Sequence, residues 1–128
     1  MDLDSLKVTD DAVDLPIYNP VTGEKTDITI KVIGQDSEEY KQKARALYKR
    51  ALKKAPKGDL SKLNDDDDEA FAVKLRAAHI KGWENVTEKG KALTFSQEAA
   101  QHVIRNYPVI ADQVAEFVAD RANFMKAS

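Results

Sequence analysis

The sequence predicts an α+β fold, mostly α-helical, with a small N-terminal β-hairpin followed by about four helices in one compact domain. Three observations carry this. Two short runs around residues 13–18 and 27–33 have strand character and are separated by Asn19-Pro20-Val21-Thr22-Gly23. From residue 36 onward apolar residues recur at helical spacing in four segments, each with a recognisable start or stop. The chain has 128 residues, 42% hydrophobic and 33% charged, which suits a single domain with a modest core.

The first 12 residues are acidic and without periodicity, so a mobile tail is expected there, with the domain itself spanning 13–125 and a short end at 126–128. In the second strand Ile28, Ile30 and Val32 alternate with Thr29 and Lys31, the period of a half-buried strand. Pro16 cannot donate to a ladder, which puts the first strand at a sheet edge. Asp36, with Glu39 three residues on, forms a capping box for a helix reaching about Lys54. Its apolar face is Tyr40, Ala44, Leu47, Ala51 and Leu52, with Lys41, Lys43, Lys49, Arg50 and Lys53 towards solvent. Pro56 and Gly58 stop it.

Residues 57–68 then read as an acidic loop inside the domain, leading to a helix from about Glu69 to Lys81 that Gly82 ends. Trp83 begins an extended stretch and is expected to be mostly buried; a turn at Lys89-Gly90 returns the chain to Phe95. Ser96 caps the next helix, which carries Ala99, Ala100, Val103 and Ile104. Tyr107-Pro108 interrupts it, and Pro108 opens a last helix over 108–124 with Ile110, Val114, Phe117, Val118 and Phe124 on one face.

Composition narrows the function classes. With no cysteine there is no disulfide framework, thiolate zinc site or cysteine nucleophile. No run approaches the roughly 18 uninterrupted apolar residues of a membrane span, and the acidic start lacks a signal-peptide pattern, so a cytoplasmic location is expected. His79 and His102 have no ligand-type residue at i+3 or i+4. An EF-hand register beginning at Asn64 fails, because Glu69 stands where glycine is needed and Leu75 where a bidentate glutamate is needed. No Gly-x-Ser-x-Gly elbow, P-loop or Gly-x-Gly-x-x-Gly occurs. No enzyme, cofactor or metal is expected.

Net charge is only −2, yet the charges are segregated. From Lys41 to Lys57 there are eight basic residues and no acidic one; from Asp59 to Glu69 there are six acidic residues and one lysine. The basic helix 41–54 offers one reading, a small nucleic-acid-binding or regulatory module. Against it stand the acidic segment, which could fold back on the helix, and the lack of a base-stacking aromatic series. At the other end Phe124 and Met125 lie close to the C-terminus, where a domain covers its residues poorly. With Phe117 they are the candidate partner-binding residues.

Ile80-Lys-Gly-Trp83-Glu-Asn-Val86, Gly90-Lys-Ala-Leu93-Thr-Phe95-Ser96-x-Glu98-Ala-Ala, Tyr107-Pro-x-Ile110 and Gln113-Val-x-x-Phe117-x-x-x-Arg121-Ala-Asn-Phe124 together resemble the tail assembly chaperones of long non-contractile-tailed bacteriophages. The upstream Asn19-Pro20-x-Thr-Gly23 hairpin also suits that family, and the likeness covers roughly residues 14–125. It implies a non-enzymatic protein that binds and solubilises the tape-measure protein and promotes tail-tube assembly. It further implies self-association, a site of action in the host cytoplasm, and absence from the mature virion. Such genes often yield a longer frameshifted product whose extension contacts the tail-tube protein; this chain, ending at Ser128, would be the short form.

Overall fold

A computed structural model describes residues 1–125; the short end expected at 126–128 lies outside the described residues. The fold is α+β, as the sequence predicts. β1 (Val13–Tyr18) and β2 (Lys25–Val32) form the hairpin, and Asn19 closes its loop by accepting from the Gly23 amide (2.8 Å). β1 lies at the sheet edge, with Pro16 opposite Thr29 and a bulge just beyond it. Then come α1 (Glu38–Lys54) and α2 (Asp65–Ala77), joined by two single-turn 3₁₀ segments.

The chain next makes a strand of which the sequence predicts only the end, an extended stretch from Trp83. β3 (Ile80–Glu84) pairs antiparallel with β2, completing a three-stranded sheet of order β1-β2-β3. A separate ribbon of β4 (Thr87–Glu88) and β5 (Lys91–Ala92) turns at Lys89 and Gly90, both at positive φ. That backbone suits the right-handed twist of a two-residue hairpin. α3 (Gln97–Asn106), capped by the Ser96 hydroxyl on the Ala99 amide (2.9 Å), and α4 (Pro108–Ala119) follow. The core joins the sheet to α2, α3 and α4 through Ile30, Val32, Ala77, Ile80, Ala100 and Val114, all essentially inaccessible.

Other sequence expectations change. α2 begins at Asp65, so the supposed loop 57–68 ends at Asn64, which caps the helix by accepting from the Asp67 amide (2.7 Å). The four aspartates occupy the first turn, where unsatisfied amides and the positive end of the helix dipole favour carboxylates. The same helix stops at Ala77 rather than Lys81, because Ile80 to Glu84 is drawn into the sheet. α1 is capped by Ser37, not Asp36. The last helix ends at Ala119; Asp120 then accepts from the Ala122 amide and opens a 3₁₀ turn over Arg121–Phe124. The expected tail 1–12 is partly docked, Val8 bridging to Met125 and the Thr9 amide donating to the Phe124 carbonyl (2.7 Å).

Candidate functional site

α1 is the outlying element. Of its 17 residues only Ala51 is buried. Its N-terminal half is anchored by Tyr40, stacked on His79 with ring centres 3.8 Å apart, and by Glu39, which accepts from Lys43 and Lys81. These two lysines hold the Glu39 carboxyl below its ordinary pKa, the Lys81 hydrogen bond most. The C-terminal half leans on α2, where Tyr48 meets Phe71 edge to face at 4.9 Å.

Between these helix ends lies an open groove of about 260 Å³. Its floor is Leu47, Ala51, Leu63, Ala70 and Phe71. Around the floor stand Arg50, Lys53 and Lys54 from α1, with Asp67 and Lys74 from α2. Residues 50, 53 and 54 share a helix face by spacing, as do 67, 70, 71 and 74. Elsewhere on α1, Tyr48 and Leu52 are 45% and 43% exposed. The acidic segment therefore adjoins the basic helix as a neighbouring helical turn. Among the described residues, none of the ion pairs joins the two, and Arg50, Lys53, Lys54 and Lys74 take part in none.

The residues singled out near the C-terminus behave differently from one another. Phe117 is half-buried and borders a shallow depression of about 380 Å³ with Leu15, Pro16, Tyr18 and Gln113. Phe124 is only 2% exposed, its ring over Gly34 and edge to face with Phe117 at 5.6 Å. Met125 is half-buried beside Val8. The uncovered Phe124–Met125 patch expected from the sequence is thus absent: the 3₁₀ turn folds Phe124 inward and the N-terminal segment covers its backbone. Trp83, expected to be mostly buried, is half-buried, with Nε1 donating to the Leu93 carbonyl (2.8 Å).

The histidines sit in unlike surroundings. His79 is buried, with Nδ1 donating to the Ile33 carbonyl (2.8 Å); burial keeps its pKa below the ordinary histidine value. His102 Nε2 donates to Glu88 (2.8 Å), which also accepts from the Tyr107 hydroxyl and so ties the β4–β5 ribbon to α3. Tyr107 foremost, then His102, lowers the Glu88 pKa. Among the described residues no group of three or more His, Cys, Asp or Glu is placed to share a metal ion.

The groove escaped the sequence reading, although a signal was present. Tyr48 falls beside the expected apolar stripe and Leu52 at its end, while the members at 44 and 51 are only alanine. A helix with a thin core stripe and further large apolar residues around it has apolar surface left over.

Fold and groove define a small α+β domain that presents an open, cation-rimmed helical hairpin. Residues 35–128 match the YdaY prophage protein family, and the chain belongs to that family. It is therefore a phage-derived protein. The match begins just before α1 and includes both walls of the groove. No curated protein and no solved structure matches the chain. Among the described residues no helix is long and apolar enough to cross a membrane.

Proposed function

We propose that this prophage protein is a non-enzymatic assembly chaperone that holds an apolar helical client in the α1–α2 groove. The tape-measure protein of a phage tail is the client that the sequence resemblance supplies. On this reading the protein works in the host cytoplasm, keeps the tape-measure protein soluble, promotes tail-tube assembly round it and stays out of the virion. Self-association along a long client would add avidity, and contact with the tail-tube protein belongs to a longer frameshifted form.

The observation that carries the reading is the open apolar floor of Leu47, Leu63 and Phe71 between two otherwise charged helices. An amphipathic client helix laid in such a groove buries its apolar side chains without unfolding the chaperone. Co-expression with the tape-measure protein of the same prophage tests it. The client should become soluble and co-purify, and Phe71→Glu should abolish both effects while circular dichroism stays helical. A client that remains insoluble, or a Phe71→Glu protein that performs like wild type, overturns the proposal.

The cations of α1 that lack ion pairs favour a second reading, a nucleic-acid-binding module. Such binding would fall steeply with salt and would not need Phe71.

A further inference from the structure

The groove has a charge pattern as well as an apolar floor. Four cations and one carboxylate stand round it, and among the described residues none of the cations is in an ion pair. We propose that the groove takes an acidic amphipathic helix, a partner segment whose apolar stripe fills the floor and whose flanking carboxylates meet Arg50, Lys53, Lys54 and Lys74. This rests on the client-binding reading and adds the chemistry by which a client would be chosen.

Size favours a protein occupant. At about 260 Å³ the groove falls below the roughly 300–1,000 Å³ of cavities that enclose small molecules. It has room for a few apolar side chains presented by a surface, the helix-in-groove mode. A nucleic-acid base would find a poor platform, because Phe71 is engaged edge to face with Tyr48 and the floor is otherwise aliphatic.

The two walls differ, and the difference sets direction. The α1 wall offers only positive charge, from Arg50, Lys53 and Lys54. The α2 wall carries Asp67 at one end and Lys74 two turns along, about 10 Å away at 1.5 Å per residue. The best occupant therefore has carboxylates along one flank, and on the other a base near Asp67 and an acid near Lys74. Reversing such a helix with its apolar stripe still on the floor also exchanges its flanks, so that a carboxylate would meet Asp67 and the base would meet the α1 cations. Each exposed pair adds little; four acting together are enough to select a partner.

Two synthetic peptides of roughly 18 residues, long enough to form helix, test this by fluorescence anisotropy. They share one Leu/Ala stripe and differ in having Glu or Lys flanks. The protein should bind the Glu-flanked peptide at least about tenfold more tightly at low salt. The preference should shrink near 1 M salt, where the Debye length is about 3 Å. Arg50→Glu with Lys53→Glu and Lys54→Glu should invert it, whereas Phe71→Ser should weaken both peptides. Equal affinity for the two peptides overturns the charge rule while leaving a client groove in place. Binding of neither peptide overturns the inference and the groove as seat, and co-expression then judges the chaperone reading separately. Displacement of the Glu-flanked peptide by duplex DNA, which must therefore bind the same cations, overturns it in favour of nucleic acid. A dimer that excludes both peptides and that the triple variant splits overturns it in favour of a second copy of this chain.

Discussion

Arg121 and Asp36 are linked by a two-point ion pair, Nε donating to Oδ2 at 2.6 Å and Nη2 to Oδ1 at 3.2 Å. It ties the turn after α4 to the segment that leads into α1, across 85 positions of sequence. Asp36 thus serves tertiary structure, and Ser37 takes over the cap that the Asp36-x-x-Glu39 spacing predicts.

Acid should act partly through this pair. The Arg121 hydrogen bond chiefly holds the Asp36 carboxyl below its ordinary pKa, and Glu39 and Glu88 are lowered by their own partners. A carboxylate with a depressed folded-state pKa contributes stability above its unfolded pKa and loses it as pH falls through the folded value. The part of the stability in urea that these carboxylates carry should therefore be level near neutrality and decline below about pH 5. Asp36→Asn should be less stable at pH 7 and have a shallower acid decline. Parallel curves for the two proteins down to pH 3 would show that the pair contributes nothing.

His79 predicts a slope at milder pH. Burial disfavours its imidazolium and lowers its pKa, outweighing the hydrogen bond to the Ile33 carbonyl, which acts the other way. Between the folded and unfolded values the unfolded chain binds more protons, so stability falls as pH drops below about 6.5. His79→Gln keeps a side-chain donor and removes the titration. It should cost stability at pH 7.5 and flatten the slope between about pH 7 and 5.5. Retention of the full wild-type slope in this variant would assign it elsewhere.

Local chemistry made part of this fold legible. Ser96 as a cap, Pro108 as a helix opener, Lys89-Gly90 as a turn and the Ile28/Ile30/Val32 alternation each act within a few residues, and each stands where the sequence places it. The start of β3 was hidden because Ile80-Lys-Gly become strand only by pairing with β2 across the α1–α2 excursion. The aspartates read as a loop because their intrinsic preference is for turns, and the helix start that favours them depends on the Asn64 cap. The candidate site was the least legible part. Exposure of Leu52 and burial of Phe124 are settled by what other segments do, and neither residue's neighbours in sequence reveal it.

Trp83 should matter less than a fully enclosed tryptophan. It is half-buried, edge to face with Phe95 at 5.1 Å, and its indole donates to Leu93. Trp83→Ala should cost about 2–4 kcal/mol, at or below the usual range for large aromatic truncations in cores. Trp83→Phe, which loses the hydrogen bond and part of the ring, should cost about 1 kcal/mol. Urea denaturation followed by far-UV circular dichroism measures both, and equal losses for the two would mean that packing by the ring carries nothing.

The C-terminal turn separates core from surface most sharply. A methyl group on Gly34 would stand 3.1–3.3 Å from three carbons of the Phe124 ring, closer than packed carbon atoms normally come. The ring has little room to yield, since Phe117 packs on it edge to face and the Thr9 amide holds the Phe124 carbonyl. Gly34→Ala should therefore destabilise by about 1–3 kcal/mol, as overpacking does, and Phe124→Ala by about 3–5 kcal/mol, as a core truncation does. Met125→Ser, at a half-buried position, should cost less than Phe124→Ser. The order distinguishes the roles of the two residues. If Phe124 acted mainly between molecules, Phe124→Ser would lower the assembly mass seen in light scattering while thermal unfolding stayed unchanged. The burial of its ring predicts the reverse: a clear fall in melting temperature at every protein concentration, and a Gly34→Ala/Phe124→Ala double variant no worse than Phe124→Ala alone, because the added methyl group would then enter the space the ring leaves.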